Sequence, residues 1–296
     1  MLLSEIVKGV ELVEPISADI EIKNIEFDSR KVGVGSMFVA TRGTAVDGHD
    51  FIAKAIEAGA VAVVCEEFDN AQCTMHNAQS DELNNVVIVK VKDSAEALGR
   101  MASNFYGRPS EQLTLVGVTG TNGKTTIATL LYQLHRALGY KVGLLSTVCN
   151  YVDDKAIEST HTTPDALALN ALLAEMVEAG CQYAFMEVSS HSVDQRRIAG
   201  LKFAGGIFTN LTRDHIDYHK TFDNYLKAKK RFFDELPKGA FAIVNVDDKN
   251  GMVMLQNTRA DKKTYSVRSL ADFTARILEA SFDGMLLNVC NREVFM

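Results

Sequence analysis

The sequence lacks a Cys-x-x-Cys pair, an apolar run of membrane-spanning length, an internal repeat and an excess of positive charge. Its 5 scattered cysteines argue against a zinc site and favour a reducing compartment. Glu5 and Lys8 place charges near the amino terminus, which disfavours a secretory signal. Without a long apolar run, no membrane span is expected. These absences together predict a soluble cytoplasmic protein with no membrane partner.

The charge balance also restricts the ligands. There are 31 Lys and Arg against 38 Asp and Glu, which gives a net charge of −7. Nucleic acid is therefore not an expected partner, and a polyphosphate ligand would need a local basic site. With 296 residues and 47% apolar content, the chain can bury more than one core, so two domains are the first expectation.

The most informative stretch covers residues 113–138. Residues 113–118 form a short apolar run typical of a strand, and residues 127–138 have the apolar spacing of a helix. The eight residues between them read Thr-Gly-Thr-Asn-Gly-Lys-Thr-Thr. A glycine loop between a strand and a helix presents backbone N–H groups to an anion, while Lys124 can reach outer phosphates and Thr125 can ligate Mg²⁺. We therefore predict an ATP site.

The loop departs from the generic nucleotide-binding pattern, because Val118 stands at the first glycine position with Gly117 and Gly120 on either side. An ordinary glycine-rich turn is the alternative. The segment 120–126 resembles the phosphate loop of the Mur ligases, ATP-dependent enzymes that build the peptidoglycan stem peptide, and folylpolyglutamate synthetases carry a similar loop. The resemblance implies these ATP-binding residues: Gly120, Thr121, Asn122, Gly123, Lys124, Thr125 and Thr126.

The segment before this loop has its own alternation of predicted strands and helices, and Gly-Arg-Pro-Ser at 107–110 breaks its last helix. Residues 27–30, 34–40 and 43–50 resemble the N-terminal domain of the branch called MurE, which receives the uridine end of the substrate. The alternative for residues 28–30 is a turn with a local side-chain hydrogen bond. The family's uridine contacts correspond to Phe27, Ser29, Thr44, Ala45 and Val46.

Two further sites are predicted beyond the loop. Thr162 and Thr163 precede a helix expected to open at Pro164, where they could hold an anion or merely cap the helix. Glu187 ends a buried-type strand at 183–188, and carboxyl ends of parallel strands collect ligands, so we assign it to Mg²⁺ over an ordinary surface position. The resemblance assigns Thr162 and Thr163 to the muramoyl-peptide part of the substrate and makes Ser189, Gln195 and Arg197 substrate contacts. For the neighbouring Arg196 we expect a solvated side chain.

The run from Asp214 to His219 contains two aspartates and two histidines, which indicates either a metal site or capping and surface groups. The resemblance narrows this to His215 as a ligand of a second Mg²⁺. It also makes Lys229, in a helix predicted at 222–236, a lysine carbamylated by CO₂ (N6-carboxylysine) that ligates the metal. The alternative is a solvated basic face formed by Lys227, Lys229, Lys230 and Arg231.

The resemblance implies that Lys124, His215 and Lys229 are catalytic, that the cofactors are ATP and Mg²⁺, and that the metal ligands are Thr125, Glu187, His215 and Lys229. We expect an α/β fold: an N-terminal mixed α/β uridine-nucleotide-binding domain at 1–108, then a P-loop-type, largely parallel-sheet ATPase domain at 109–296. The family continues beyond Met296, so we expect this chain to be truncated and inactive alone. We also expect a monomer.

The expected activity is ATP-dependent ligation of a diamino acid to UDP-N-acetylmuramoyl-L-alanyl-D-glutamate through an acyl phosphate. We favour meso-2,6-diaminopimelate over L-lysine as the diamino acid. Two other classes stay open at this point. One is another Mur or folylpolyglutamate-type ligase, and the other is a module that binds nucleotide without turnover.

Overall fold

The computed structural model describes residues 1–43, 46–68, 86–159, 162–290 and 292–295. The chain divides into two compact units. The first contains Met1–Pro109, Asp165–Ala174 and Gln195–Leu201, and the second contains Ser110–Pro164, Glu175–Asp194 and Lys202–Met296. Two later segments thus belong with the amino-terminal unit, which a division of the chain at a single position does not anticipate.

The first unit contains a four-stranded parallel sheet in the order β1-β2-β3-β4. Its strands are β1 (Asn24–Glu26), β2 (Ser36–Val39), β3 (Ala60–Cys65) and β4 (Val87–Lys90). Its helices are α1 (Leu3–Ile6), α2 (Ile52–Glu57) and α3 (Ser94–Phe105), with a 3₁₀ turn at Gly48–Phe51. Because β3 is covered on both faces, its side chains alternate between two apolar clusters and the strand is an unbroken apolar run.

The second unit contains an eleven-stranded sheet in the order β15-β14-β13-β12-β11-β10-β5-β9-β6-β7-β8. Its strands are β5 (Thr114–Thr119), β6 (Val142–Leu145), β7 (Cys149–Val152), β8 (Lys155–Glu158), β9 (Tyr183–Glu187), β10 (Gly205–Phe208), β11 (Phe241–Asn245), β12 (Asp261–Ser266), β13 (Phe273–Ser281), β14 (Gly284–Val289) and β15 (Arg292–Phe295). Neighbours from β13 to β6 are parallel, and both ends are antiparallel.

The remaining helices are α4 (Lys124–Ala137), α5 (Ala166–Glu178), α6 (Ser190–Asp194), α7 (Ile216–His219), α8 (Phe222–Asp234) and α9 (Gly251–Met254), and a 3₁₀ turn covers Pro109–Glu111. The expected α/β class with mostly parallel sheets is confirmed. Helix α5 begins two residues after Pro164, and the Asp165 side chain accepts a hydrogen bond from the Ala168 N–H. Asp165, rather than Thr162 or Thr163, therefore supplies the side-chain cap of this helix.

Strand β5 lies at the centre of the second unit and is covered on both faces. Val118 packs against Ala128 of α4 on one face. On the other face, a Cβ added at Gly117 would lie 2.6 Å from Phe232 Cζ of α8. Gly117 therefore lets α8 approach the strand closely, while Gly120 serves the loop that follows. This division of roles explains why the glycines flank position 118.

No helix within the described ranges is both long enough and apolar enough to cross a membrane. The hairpin of β7 and β8 was not predicted from the sequence, because its strands are short and β8 is largely exposed. The strand expected at 183–188 is confirmed to within a residue.

Candidate active site

The loop between β5 and α4 has the backbone conformation of an anion cradle. Gly120 has a φ of 149° and Gly123 a φ of 84°, so both occupy the region that favours glycine. A Cβ at Gly120 would also overlap Thr209 Oγ1. Gly123 is the N-cap of α4, and the first turn of this helix contains no acidic residue of its own, so its positive end can attract an anion.

The residues after β10 hold this loop in place. Thr209 Oγ1 donates to the Asn122 carbonyl at 2.6 Å, and Asn210 Nδ2 donates to the same oxygen at 3.1 Å. In return, the N–H of Thr121 donates to the Asn210 carbonyl and that of Asn122 to its side-chain oxygen. The protein's own groups thus hold the loop in its conformation, which reduces the entropy lost when an anion binds.

Lys124 lies folded back over the loop. Its Nζ donates to the carbonyl oxygens of Gly120 at 3.0 Å and Thr121 at 2.8 Å. Burial lowers the pKa of Lys124, and the negative charges of Glu187 and Asp214 partly oppose that shift. Because its partners are neutral carbonyls, the ammonium group can exchange them for phosphate oxygens.

Glu187 ends β9, directly opposite Val118 in the parallel pair with β5. It is only 1% exposed, which makes the surface alternative wrong. One carboxylate oxygen accepts from Thr125 Oγ1 at 2.9 Å, and the other accepts from the Thr147 N–H at 2.7 Å. The Thr163 hydroxyl donates to the backbone carbonyl of Glu187 at 3.0 Å.

A buried carboxylate bonded to a loop hydroxyl offers the hard oxygen donors that Mg²⁺ prefers, so these residues fit the ion. Across the described residues, His, Cys, Asp and Glu side chains form no group of three able to hold a metal alone. A magnesium ion at Thr125 and Glu187 would therefore take its remaining ligands from phosphate and water, which is its usual mode of binding.

Lys229 projects from α8 toward the same loop. It is 1% exposed, its Nζ donates to the Gly120 carbonyl at 2.8 Å, and the Nζ lies 4.9 Å from the centre of the Tyr225 ring. Burial lowers the pKa of Lys229 well below its usual value, and the nearby Lys124 ammonium lowers it further. The two amines thus share one acceptor, the Gly120 carbonyl oxygen.

The solvated basic face is wrong as an account of this lysine run. Only Lys227 fits it, with a side chain 68% exposed and paired with Asp223 at 2.6 Å. Lys230 is buried and donates to both oxygens of Asp234. Two adjacent lysines are therefore buried, and they have different partners: Lys229 donates to the Gly120 carbonyl, and Lys230 pairs with Asp234.

His215 lies immediately before α7 in a left-handed conformation, with φ 52° and ψ 31°. Its ring centre is 6.1 Å from that of Tyr225, the residue over which Lys229 lies. Sequence reasoning missed His191, whose ring is 4.9 Å from His215. His219 is buried beside Ser190 Oγ at 2.9 Å, and burial lowers the pKa of His219. The two histidines of the predicted run therefore have different environments.

The first unit contains a cavity of about 520 Å³ lined by Phe27, Asp28, Ser29, Arg30, Phe38, Thr41, Gly43, Val46, Gly48, Phe51 and Lys54. Three of the five predicted uridine contacts line it, and Thr44 and Ala45 lie outside the described residues. The local turn also exists, because the Arg30 guanidinium bonds Asp28 and lowers the pKa of that carboxyl to about 2. The residues of this turn therefore also form part of the cavity wall.

A histidine stabilises the segment that follows this cavity loop. His49 Nε2 accepts the Glu66 N–H at 3.0 Å, and His49 Nδ1 lies 2.6 Å from Asp47 Oδ1. Because Nε2 is an acceptor, Nδ1 carries the proton and donates to Asp47. Gly48 N–H donates to the Thr41 carbonyl at 2.9 Å. These bonds fix the wall of the cavity without occupying its interior.

The other predicted substrate contacts have local partners. In the first unit, the Arg197 guanidinium donates twice to Gln195 Oε1, at 3.0 and 2.6 Å. The solvated interpretation of Arg196 is wrong, since it pairs with Asp93 and Glu96 at 3.4 Å each. In the second unit, Ser189 Oγ accepts the Ser192 N–H and so caps α6, and Thr162 is half-buried.

Two family models match the sequence. One described as "Mur ligase middle domain" matches residues 118–294, and one described as "Mur ligase family, catalytic domain" matches residues 21–106. The first contains all of the phosphate loop, together with Glu187, His215 and Lys229. The second contains the described residues that line the cavity.

Two similar proteins and one solved structure share a name. A protein of Parabacteroides distasonis named "UDP-N-acetylmuramoyl-L-alanyl-D-glutamate--2,6-diaminopimelate ligase" is 60% identical over 100% of this chain and 59% of its own length. A protein of Phocaeicola vulgatus with the same name is 59% identical over 99% of this chain and 59% of its own length. A solved structure of a ligase so named superposes with a TM-score of 0.76 at 26% identity, covering 100% of this chain and 59% of that one. The chain thus spans 59% of the length of these relatives.

Proposed function

The chain belongs to the Mur ligase family, and from that premise we propose that it is part of an ATP-dependent ligase that adds meso-2,6-diaminopimelate to UDP-N-acetylmuramoyl-L-alanyl-D-glutamate. The names of its relatives support this choice of diamino acid over L-lysine. Within the proposal, residues 1–108 form the uridine-binding domain and residues 109–296 belong to the ATP-binding domain. The protein acts as a cytoplasmic monomer, as the family resemblance implies.

The observation that carries the proposal is the buried Glu187 carboxylate bonded to Thr125 of the phosphate loop. When bound, ATP with Mg²⁺ supplies the phosphoryl group that activates a substrate carboxylate for attack by the amine of the diamino acid. The loop N–H groups and the α4 N-terminus bind the phosphates, and Thr125 with Glu187 holds the metal. Lys124 leaves the carbonyls of Gly120 and Thr121 and neutralises charge at the outer phosphates.

Lys229 has a second role in the proposal. Its amine is held in a buried site where its pKa is lowered, so the neutral form that can add to CO₂ is accessible. The resulting N6-carboxylysine is an anion, and with His215 it would hold a second Mg²⁺. Both side chains lie beside Tyr225, which supports their acting at one place.

The substrate's uridine end is proposed to enter the cavity at Phe27, Ser29 and Val46, with Thr44 and Ala45 completing the contacts. The 520 Å³ cavity has the size of a small-ligand site. The peptide end is proposed to contact Thr162, Thr163, Ser189, Gln195 and Arg197, among which Arg197 offers a planar guanidinium suited to a carboxylate or pyrophosphate.

Release of ADP provides the test of this function. The chain, extended to the length of its relatives, should release ADP with UDP-N-acetylmuramoyl-L-alanyl-D-glutamate and diaminopimelate, and far less with L-lysine. Lys124→Ala should reduce that turnover by roughly a thousandfold or more, because transition-state charge loses its cationic partner. The circular dichroism of the variant should be unchanged, since the hydrogen bonds that the described residues make with the Lys124 side chain end on two carbonyl oxygens of the loop. ADP release by the folded variant at the wild-type rate would refute the phosphate-loop assignment, and ATP binding without any ADP release would favour a module without turnover.

A further inference from the structure

Thr119 carries a hydroxyl that the proposed function does not use. The residue ends β5, is 0% exposed, and its Oγ1 has no hydrogen-bond partner within the described part of the chain. Buried polar atoms without partners are rare in folded proteins, because an unmet donor or acceptor is destabilising. A buried orphan hydroxyl beside a phosphate loop therefore indicates a partner other than the unmodified side chains described around it.

Strand alternation shows which way this hydroxyl faces. Val118 packs toward Ala128 of α4, so Gly117 and Thr119 face the opposite side of the sheet. That side is covered by α8, since a Cβ at Gly117 would meet Phe232. Thr119 therefore projects toward α8, one strand step beyond Gly117.

Helix α8 brings one particular group to this position. Lys229 precedes Phe232 by about one helical turn, and its Nζ bonds the carbonyl of Gly120, the residue that follows Thr119. Thr119 and the carbonyl bound by Lys229 are therefore neighbours in the chain, and the orphan hydroxyl lies on the side of β5 that α8 covers. The unmodified amine already has its acceptor in the Gly120 carbonyl, whereas the hydroxyl has none among the residues that the structure describes.

We propose that Thr119 is a positioning residue that donates its hydroxyl hydrogen to the carboxyl group formed on Lys229, an inference that rests on the carbamylation within the proposed function. In that step the lone pair of the neutral amine forms a bond to the carbon of CO₂. One C=O π pair moves onto oxygen, and the nitrogen releases a proton to water. The product keeps one N–H and gains a carboxylate whose single negative charge is shared by two oxygens, and a neighbouring hydroxyl is then a matched donor to it.

The hydrogen bond has two expected effects. It stabilises the adduct against loss of CO₂, and it fixes the orientation of the carboxyl group so that its other oxygen is presented to the metal. Second-layer hydrogen bonds of this kind orient ligands and tune their basicity. A charge-assisted bond predicts at least about a tenfold higher adduct occupancy at limiting bicarbonate than the same site has without the hydroxyl.

The test compares Thr119→Val, which keeps the shape but removes the hydroxyl, with Thr119→Ser, which keeps the hydroxyl. The 296-residue chain is titrated with ¹³C-bicarbonate in the presence of Mg²⁺ and ADP, and the carbamate resonance is followed by NMR. Lys229→Met assigns that resonance by abolishing it. We expect a resonance in the wild type and Thr119→Ser, and at least about tenfold lower occupancy in Thr119→Val.

Thermal unfolding adds a readout that a purely structural role would not give. In CO₂-free buffer, Thr119→Val should melt no lower than the wild type, because an unpaired hydroxyl is replaced by a methyl group. Bicarbonate at a limiting concentration should raise the melting temperature of the wild type and raise that of Thr119→Val much less. If Thr119→Val binds ¹³CO₂ as fully as the wild type, the role of Thr119 is overturned while the carbamate stands. If the wild type shows no resonance, the carbamate and this inference both fall.

Discussion

Replacing Lys229 with Met should change how stability depends on pH. The wild-type ammonium is buried with a neighbouring Lys124 ammonium, and its hydrogen-bond acceptor is the Gly120 carbonyl. Met is also unbranched and apolar, so it fills the same space without a charge. The Gly120 carbonyl keeps a donor in the variant, because Lys124 also bonds it. The substitution therefore removes a buried ionisable group without leaving an acceptor unpaired.

The sign of the effect follows from the lowered pKa. In the unfolded chain Lys229 titrates near 10.5, and in the folded chain it titrates well below that value because of burial and then Lys124. Between the two values the unfolded chain binds more protons, so wild-type stability rises with pH. The slope from this one group is at most about 1.4 kcal/mol per pH unit. The stability gain is complete above the unfolded pKa and is lost as the pH falls toward the folded one.

Urea unfolding followed by circular dichroism between pH 7 and 9.5 would measure this slope, since the chain has no tryptophan to report by fluorescence. The buffer must be free of CO₂ and Mg²⁺, so that only the free amine contributes. Lys229→Met should be more stable than the wild type at pH 7, and the difference should shrink as the pH rises. Lys227→Met, which changes an exposed lysine, should follow the wild-type slope. Parallel curves for the wild type and Lys229→Met would show that Lys229 titrates normally in the fold.

Two further substitutions test the local structure, one in each unit. Gly117→Ala should lower the free energy of unfolding by about 1–3 kcal/mol, because the new methyl group would lie 2.6 Å from Phe232 Cζ. Gly33→Ala is the control. Its methyl group meets nothing within 4 Å, so it should be close to neutral in the same denaturation assay. His49→Phe should destabilise the first unit by about 1–3 kcal/mol, because the Glu66 N–H loses its acceptor. The same change should weaken the binding of uridine monophosphate measured by calorimetry. Unchanged affinity would show that His49 does not support the cavity.

Much of the fold follows from local sequence pattern. Strands such as β3 and β9 are buried on both faces, so they appear as unbroken apolar runs that no helix period explains. The hairpin of β7 and β8 lacks that signal, because it lies at the sheet edge and leaves β8 exposed. The grouping of residues Gln195–Leu201 with the first unit depends on contacts distant in sequence, which periodicity does not encode.

The candidate site shows the same limit, with one exception. Glu187 could be assigned because the polar end of a buried strand has few alternatives. Lys229 looked like part of a charged face when only its immediate neighbours were considered. Its spacing carried more information, since Tyr225, Phe232 and Phe233 are buried at helical intervals and Lys229 falls in the same stripe. A lysine in the apolar stripe of an amphipathic helix was the available signal of a buried amine.

His191, Thr147 and Asn210 were not predicted, although each contacts a predicted residue. His191 lies against the His215 ring, Thr147 donates its N–H to Glu187, and Asn210 binds the phosphate loop. Two of these contacts use backbone N–H or carbonyl groups, which every residue type possesses. Only the folded chain, with its parallel strand order, brings such groups to the site.

The Gly120 carbonyl oxygen couples the two lysines of the site. In the structure both amines donate to it, so two groups of like charge are held near one acceptor in a buried place. If Lys124 moves to a phosphate, Lys229 keeps the carbonyl and the repulsion between the amines decreases. If Lys229 becomes a carboxylate-like anion, that repulsion turns into attraction, and Lys124 is stabilised in its charged form. By linkage, modification of Lys229 changes the free energy of phosphate binding by the same amount as phosphate binding changes the free energy of the modification. We therefore expect phosphate binding and the modification of Lys229 to be energetically coupled, because both involve groups that bond the Gly120 carbonyl of the phosphate loop.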